Sequence, residues 1–588
     1  MAAVRSSFLR TTRWGLAATM TCAAVLAAGP VASAAPDDAP AGQGPSIQTP
    51  SATASGFARS RWGSPAADAV AKNEYGNHDA RKDPGSLFTV TTAIGVRDTW
   101  KELDSAGRAV TGQGVGVALL DSGVAPVAGL NAVGKVTYGP DLSIEGNGLF
   151  LHQDTFGHGT FMAGIIAGRG TTKPSSKLSS AQPAVQLGVA PDAELLSLKL
   201  ATTDGSTDVS QVIAALDWVT QHPVMPNGTR VRVINLSYGT DSAQDYQSDP
   251  LAAAAENAWK HGIVVVTSAG NSGTETGSVT DPAIDPYVLA VGAADSGNKV
   301  NGWAPKNTEA ASFSNVATSR HADLIAPGTS LVSLRAPGSY VDTNNPQGLV
   351  SGDVSGTLFR GSGTSMAAAV VSGSIANLLQ AYPTLTPDQV KFALTASADP
   401  IKDGDANAVG AGMIDLPEAF KVAGHMVKTN AKGATLRAAA VQSFEPSTGQ
   451  GFIDASRGAI VAVDADGVAF SGEVDIQDIP WNAAAWWAAS SSLTAWSGGQ
   501  WMGTTWTGDG WMSDDNELAS ARWSSARWSS ARWSSARWSS ARWSSARWSS
   551  ARWSSARWSN EEWESARWSD ESWDSARWSS ARWSADSW

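Results

Sequence analysis

Cysteine is all but missing from this chain: Cys22 is the only one in 588 residues. It falls inside the first 34 residues, which have the pattern of a removable secretory signal. Arg5, Arg10 and Arg13 form a positive start, Gly15 to Gly29 is mostly apolar, and Ala32-Ser33-Ala34 is a small-residue cleavage site. The mature chain is therefore expected to hold no disulfide, no thiolate ligand and no cysteine nucleophile. Thr19-Met20-Thr21 does not resemble a lipid-attachment pattern, and Arg10 and Arg13 are not adjacent, so neither a lipoprotein nor a twin-arginine route is indicated. The bland alternative is an uncleaved anchor, for which the apolar run is short. Long apolar runs are also lacking afterwards: none reaches the roughly 18 residues of a membrane helix. Charge is scarce too, at 16% of residues, and its net value of −12 argues against nucleic acid as a partner. The expected address is outside the cell or at its surface.

Composition divides what remains. Residues 35–84 are rich in Ala, Ser, Pro and Gly and read as a flexible N-terminal leader. From 85 to 424 short apolar runs alternate with helical patterns. Val115–Leu120, Val231–Leu236, Ile263–Thr267 and Val288–Val291 have the near-continuous apolarity of strands buried on both faces of a parallel sheet. Val209, Val212, Ile213, Leu216 and Val219 repeat at helical spacing, and Thr386-Pro387-Asp388-Gln389 carries a helix start signal. Strands alternating with helices predict a doubly wound α/β domain with a mostly parallel sheet. Its roughly 340 residues can bury a large core.

Three motifs occur in order within it: Val117-Ala118-Leu119-Leu120-Asp121-Ser122-Gly123, Gly157-His158-Gly159-Thr160 and Gly363-Thr364-Ser365-Met366-Ala367. Serine is a weak nucleophile until a base takes its proton. His158 can be that base, and Asp121 can fix its tautomer and stabilise the imidazolium that forms. His158 and Ser365 each open an expected amphipathic helix, aiming a helix N-terminus at developing negative charge. Gly157, Gly159, Gly361 and Gly363 allow tight turns beside them. Each residue alone has an ordinary explanation: a lone Asp at a strand end or Ser at a helix start is usually a cap. Their joint order is what points to acyl transfer.

These blocks resemble the signature segments of the subtilase (subtilisin-like) serine peptidases, and Gly410-Ala411-Gly412-Met413-Ile414-Asp415 resembles the end of that catalytic domain. The resemblance implies a subtilisin-like fold and peptide-bond hydrolysis through a triad of Asp121, His158 and Ser365. It further implies that Asn271, in Ser268-Ala269-Gly270-Asn271, completes an oxyanion hole, although Asn in a Gly-rich turn is also a common turn former. Ser237-Tyr238-Gly239 and Ser268-Ala269-Gly270 would bind substrate backbone as extended strands and shape the primary pocket. Two positions depart from the family pattern: Tyr238 replaces the usual Leu, and Ala369 stands where Pro is usual. No cofactor is required for the chemistry. Calcium stays open as a structural ion, and no metal residue is assigned because no EF-type spacing is present.

Beyond the peptidase region, Gly451-Phe452-Ile453 and Ala459–Val463 suggest strands, making 425–480 a small β-rich connector. Residues 481–588 are a low-complexity repeat tail. Trp481, Trp486, Trp496, Trp501, Trp506 and Trp511 lie on a five-residue grid, and Trp recurs at every fifth position from Trp523 to Trp588, mostly as Ser-Ser-Ala-Arg-Trp. Period five matches neither helix nor strand, which leaves a stacked solenoid and disorder as the two structural readings. From Ala519 onward, 11 Arg against 7 Asp and Glu give +4, hence −16 for the remaining residues. The tail is thus expected to hold an anionic partner or fold back on the acidic peptidase. Its Trp and Arg also suit a cell-wall polymer or self-association. The competing view of the whole chain is a surface-binding or self-associating repeat protein with an inactive peptidase-like domain.

Overall fold

The computed structural model describes residues 78–506 except 144, 147–149, 204, 206, 275–276 and 459–471, together with one short strand in the tail. The signal segment, most of the leader, the expected strand Ala459–Val463 and the pentapeptide repeats other than Arg532–Trp533 lie outside the described residues.

One eight-stranded sheet organises the peptidase region. Its strands are β1 (Gly116–Asp121), β2 (Val136–Asp141), β3 (Glu194–Lys199), β4 (Val231–Leu236), β6 (Val264–Ser268), β7 (Leu289–Asp295), β8 (Glu309–Ala310) and β9 (Leu324–Pro327). The two-residue β5 (Tyr238–Gly239) follows β4 without joining this sheet. The order is β2-β3-β1-β4-β6-β7-β8, with β9 also on β7. All pairs are parallel except β7 with β8. This is the expected doubly wound α/β architecture. The four apolar runs are β1, β4, β6 and β7; β1 and β6 are buried at every residue because helices cover both faces.

Helices α1 (His158–Ala167) and α4 (Thr364–Ala381) pack on each other, and α4 lies along β4, β6, β7 and β9. Helices α2 (Val209–Gln221) and α3 (Pro250–Lys260) form a second pair against β1 and β6. The expectation that His158 and Ser365 open amphipathic helices is corrected here. Every residue of α1 is buried, and α4 is buried from Thr364 through Gln380. A helix enclosed on all sides by sheet and helices needs no polar face. Ala369 sits inside α4 without interrupting it. The Thr386 start signal forms a full capping box with Gln389.

Composition placed residues 78–84 in the leader, but they belong to the folded body: Asp83 accepts from His78 Nε2 at 2.7 Å and pairs with Arg360. The segment 425–480 is not a β-rich connector in its described part. It holds the end of a helix (Leu416–Met426), a second helix (Ala431–Ala440), extended chain, and a single turn at Ile453–Ser456 where a strand was expected. Its polar groups, backbone and side chain, are met by the peptidase body instead of by a sheet: Ser447 N donates to Glu256 Oε2 at 2.7 Å, and the Arg457 side chain pairs with Asp208 at 2.8 Å.

The first grid tryptophans form a folded extension, α5 (Ala483–Ser491) followed by a three-stranded ribbon over 496–505. Trp486, Trp496, Trp501 and Trp506 are buried, because one helix turn and successive ribbon strands carry them to the same docking face. Trp486 Nε1 and Trp501 Nε1 both donate to Asp217 Oδ2 of α2 at 2.9 Å, and Trp496 Nε1 donates to Ala214 O at 2.8 Å. Burial pushes the Asp217 carboxyl up to about 6 against the hydrogen bonds from Ser490, Trp501 and Trp486. In the tail, Arg532–Trp533 form a strand, β10, that pairs antiparallel with β5, Arg532 opposite Gly239 and Trp533 opposite Tyr238.

Candidate active site

The sequence-predicted residues collect at the carboxyl ends of the parallel strands, where open α/β sheets build their sites. Asp121 ends β1, Ser237 follows β4, and Ser268 ends β6. His158 and Ser365 enter the same region from the first turns of α1 and α4. Asp121 Oδ1 and Oδ2 lie 2.8 and 2.9 Å from His158 Nδ1, with both side chains buried. The approach demands glycine: a Cβ on Gly159 would stand 2.1 Å from Gly123 O and 3.2 Å from Asp121 Oδ1. Gly157, which precedes α1, has φ +110°, a conformation that side-chain-bearing residues avoid.

A second carboxylate, missed in the sequence, braces this pair. Asp154 Oδ1 accepts from Ser122 Oγ at 2.8 Å and from Gly157 N at 2.6 Å, and its Oδ2 accepts from Thr160 N at 2.7 Å. Ser122 N donates to Asp121 Oδ1 at 2.8 Å, and Ser122 Oγ accepts from Gly159 N at 2.9 Å. Asp154 therefore caps the start of α1 and locks the residue after Asp121. Burial raises its pKa, opposed by the bonds from Thr160, Gly157 and Ser122. Its signal, an acid four residues before His158, gains meaning only from the turn that folds it back.

Asn271 lies beside the serine helix. Its Oδ1 accepts from Thr364 N at 2.8 Å and Thr364 Oγ1 at 2.7 Å, which fixes the amide orientation because a backbone N–H can only donate. Asn271 Nδ2 is consequently turned the other way, buried and without a hydrogen-bond partner. Ser365 Oγ is likewise buried and makes no hydrogen bond. A serine hydroxyl and an amide N–H donor, both shielded and without a hydrogen-bond partner, sit on adjoining segments. Serine–base contacts commonly tighten only when substrate arrives.

The expected pocket segments are tied to this centre. Ser237 Oγ donates to Ser365 O at 3.4 Å and accepts from Asn235 Nδ2 at 3.0 Å, while Ser372 Oγ of α4 donates to Asn235 Oδ1 at 2.9 Å. Tyr238 and Ala269 are buried, and Gly270 has φ +104°. Among the described residues no group of three or more His, Cys, Asp or Glu is arranged to hold a metal ion, and no helix is long and apolar enough to cross a membrane.

This constellation on a doubly wound sheet defines a serine peptidase of the subtilisin type. A family comparison agrees: residues 112–414 match the subtilase family, and the chain belongs to it. Serine protease AprX of Bacillus subtilis (strain 168) is 35% identical over 321 residues, spanning 54% of this chain and 68% of that one. Subtilisin DY of Bacillus licheniformis is 32% identical over 313 residues, 52% of this chain and 91% of that one. Among solved structures, a cold-adapted subtilisin-like serine proteinase aligns at 26% identity and a TM-score of 0.37, covering 52% of this chain and 88% of that one.

Proposed function

We propose that this subtilisin-like serine peptidase is a secreted endopeptidase working through Asp121, His158 and Ser365. The observation that carries the reading is the two-oxygen contact of Asp121 with His158 Nδ1, which leaves Nε2 as the ring's basic nitrogen. Ser365 Oγ attacks the peptide carbonyl carbon while His158 Nε2 takes its proton. The carbonyl oxygen becomes an oxyanion, and Asn271 Nδ2, buried and otherwise unpaired, donates to it. Collapse of this adduct breaks the C–N bond as His158 returns the proton to the departing amine. Water, deprotonated by His158, then hydrolyses the ester and restores Ser365. Extended substrate backbone would add to Tyr238–Gly239 and to Ser268–Gly270. No cofactor enters these steps.

Labelling with a fluorophosphonate, followed by digestion and mass spectrometry, tests the assignment. A single adduct on the peptide containing Ser365, together with cleavage of denatured casein, is the expected result. Folded protein that neither labels nor cleaves would leave the binding-protein reading in first place.

The N-terminal pattern supports export, and the tail has two roles to separate. Retention at a cell-wall polymer, or self-association through Trp and Arg, follows from composition. Folding back on the peptidase is favoured by a specific observation, the pairing of Arg532–Trp533 with the Tyr238–Gly239 edge. Deleting residues 507–588 leaves the docked tryptophans through Trp506 in place. If the tail competes for that edge, kcat/KM for a tetrapeptide substrate rises several-fold on deletion. Unchanged kinetics with loss of cell-surface retention would mark it as an anchor.

A further inference from the structure

The two segments read above as walls of the primary pocket are bridged at depth by residues 280 and 281. Thr280 N donates to Ala269 O at 3.1 Å, and Thr280 Oγ1 donates to Ser268 O at 3.1 Å. On the other wall, Thr240 N donates to Asp281 O and Asp281 N to Thr240 O, each at 2.9 Å. Thr280 is thus hydrogen-bonded to the Ser268–Ala269 wall, its neighbour Asp281 is bonded to Thr240 just past the other wall, and Thr280 is buried.

The glycines of both walls press on this one side chain. A Cβ on Gly239 would lie 2.4 Å from Thr280 Oγ1 and 2.6 Å from Thr280 Cβ. A Cβ on Gly270 would lie 2.8 Å from Thr280 Cγ2. The hydroxyl packs on Gly239 while bonding Ser268 O, and the methyl packs on Gly270, so the gap between the walls at this level is filled by threonine. Nor can the side chain rotate aside cheaply. It is β-branched, hence stiff about χ1, and rotation would break its bond to Ser268 O. Asn315 closes the Gly270 side further: its Nδ2 would stand 2.6 Å from a Cβ at Gly270 and is itself anchored on Ser278 O at 2.7 Å.

We infer that Thr280 forms the floor of the primary pocket and restricts the substrate residue on the acyl side of the scissile bond to small side chains such as Gly, Ala and Ser. The inference rests on the proposed function, which supplies the walls, and adds a substrate class to it. Adjacent buried groups leave no room for a deeper pocket. The carboxylate of Asp281, the next residue in the chain, is buried and meets Ser456 Oγ at 3.5 Å, and Ser456 also donates to Asp249 Oδ1 at 2.8 Å. A large apolar side chain would have to displace Thr280 and would then meet buried carboxylates.

The test uses tetrapeptide p-nitroanilides differing only in Ala or Phe at the acyl position, with the full chain and its Thr280→Gly, Thr280→Ser and Thr280→Val forms. One methylene in a closed pocket is worth roughly 10–200-fold in discrimination. Wild type is therefore expected to favour Ala by about tenfold or more in kcat/KM. Thr280→Gly should shrink that ratio by about tenfold, chiefly by raising kcat/KM for Phe, whereas Thr280→Val, with equal bulk, should keep it. Casein peptides sequenced by mass spectrometry should end mainly in Gly, Ala or Ser for wild type. Equal wild-type cleavage after Phe and Ala overturns the inference, as does an unchanged ratio in Thr280→Gly that still labels with the fluorophosphonate. If Thr280→Gly fails to fold, the wild-type profile and Thr280→Ser decide. Absence of wild-type labelling is the separate failure of the peptidase assignment.

Discussion

Converting Asp121 to Asn is expected to lower kcat on peptide substrates by about 10⁴ with little change in KM. Asp121 Oδ1 accepts from Ser122 N at 2.8 Å and also lies 2.8 Å from His158 Nδ1, so an asparagine oxygen kept there is one neutral acceptor shared by two donors, while its NH2 takes the Oδ2 position 2.9 Å from the same ring nitrogen. An N–H would then face the ring N–H. The imidazole relieves that clash by moving its proton to Nε2, the nitrogen that must be free to accept from Ser365. Backbone geometry should survive, because Asp154 holds Ser122 and the start of α1 independently of Asp121. Ser365→Ala supplies the floor of the assay. The checking measurement is kcat and KM across pH, since a tautomer penalty acts on kcat, whereas a misfolded site would also lose affinity. Wild-type kcat in Asp121→Asn would remove Asp121 from the mechanism.

Asp217→Ala is expected to destabilise the fold by about 2–6 kcal/mol, from two buried indole N–H groups left without acceptors at about 1–3 kcal/mol each. Asp217→Asn should behave oppositely. Its oxygen can accept from Trp486 Nε1 and Trp501 Nε1, and its NH2 can donate to Ser490 Oγ, which lies on the Oδ1 side. The carboxyl titrates near 3.8 unfolded and about 6 folded, because burial opposes its charge. Between those values the folded state holds a proton that the unfolded chain has lost, so the acid's contribution is full below about pH 4 and disappears as pH rises through about 6. Asn stays neutral throughout. At pH 7–8 Asp217→Asn should therefore exceed wild type by up to roughly 3 kcal/mol, and the two should converge near pH 4. Urea unfolding on a Ser365→Ala background, which prevents autolysis, measures both. Equal losses for Asn and Ala would refute the account.

Much of the fold was legible because parallel strands covered on both faces need no polar alternation. Val115–Leu120 and Ile263–Thr267 announced themselves in this way. β2 and β3 did not: Val136–Asp141 carries Gly and Pro, and Glu194–Lys199 has a charge at each end. At the site, His158, Ser365 and Asn271 were legible because each sits in a short local motif. Asp154 and Thr280 were not, since their roles depend on backbone brought alongside from elsewhere in the chain. Gly451-Phe452-Ile453 was misread as a strand because an apolar triplet carries no periodicity; Ile453 instead starts the turn that delivers Arg457 to Asp208.

The tryptophan grid marks the boundary between the two kinds of knowledge. Sequence alone determined that this chain has a parallel α/β peptidase body with Asp, His and Ser in order, since apolar runs and motif residues are local properties. It could not place tryptophans of period five, which no regular element keeps on one side. Tertiary structure decided that a helix and a ribbon carry Trp486 and Trp501 to a single buried carboxylate. It likewise decided that Thr280 stands between two glycines distant in the chain. Such contacts exist only once the chain is closed on itself, because each group's partner is fixed by packing and not by its neighbours in sequence.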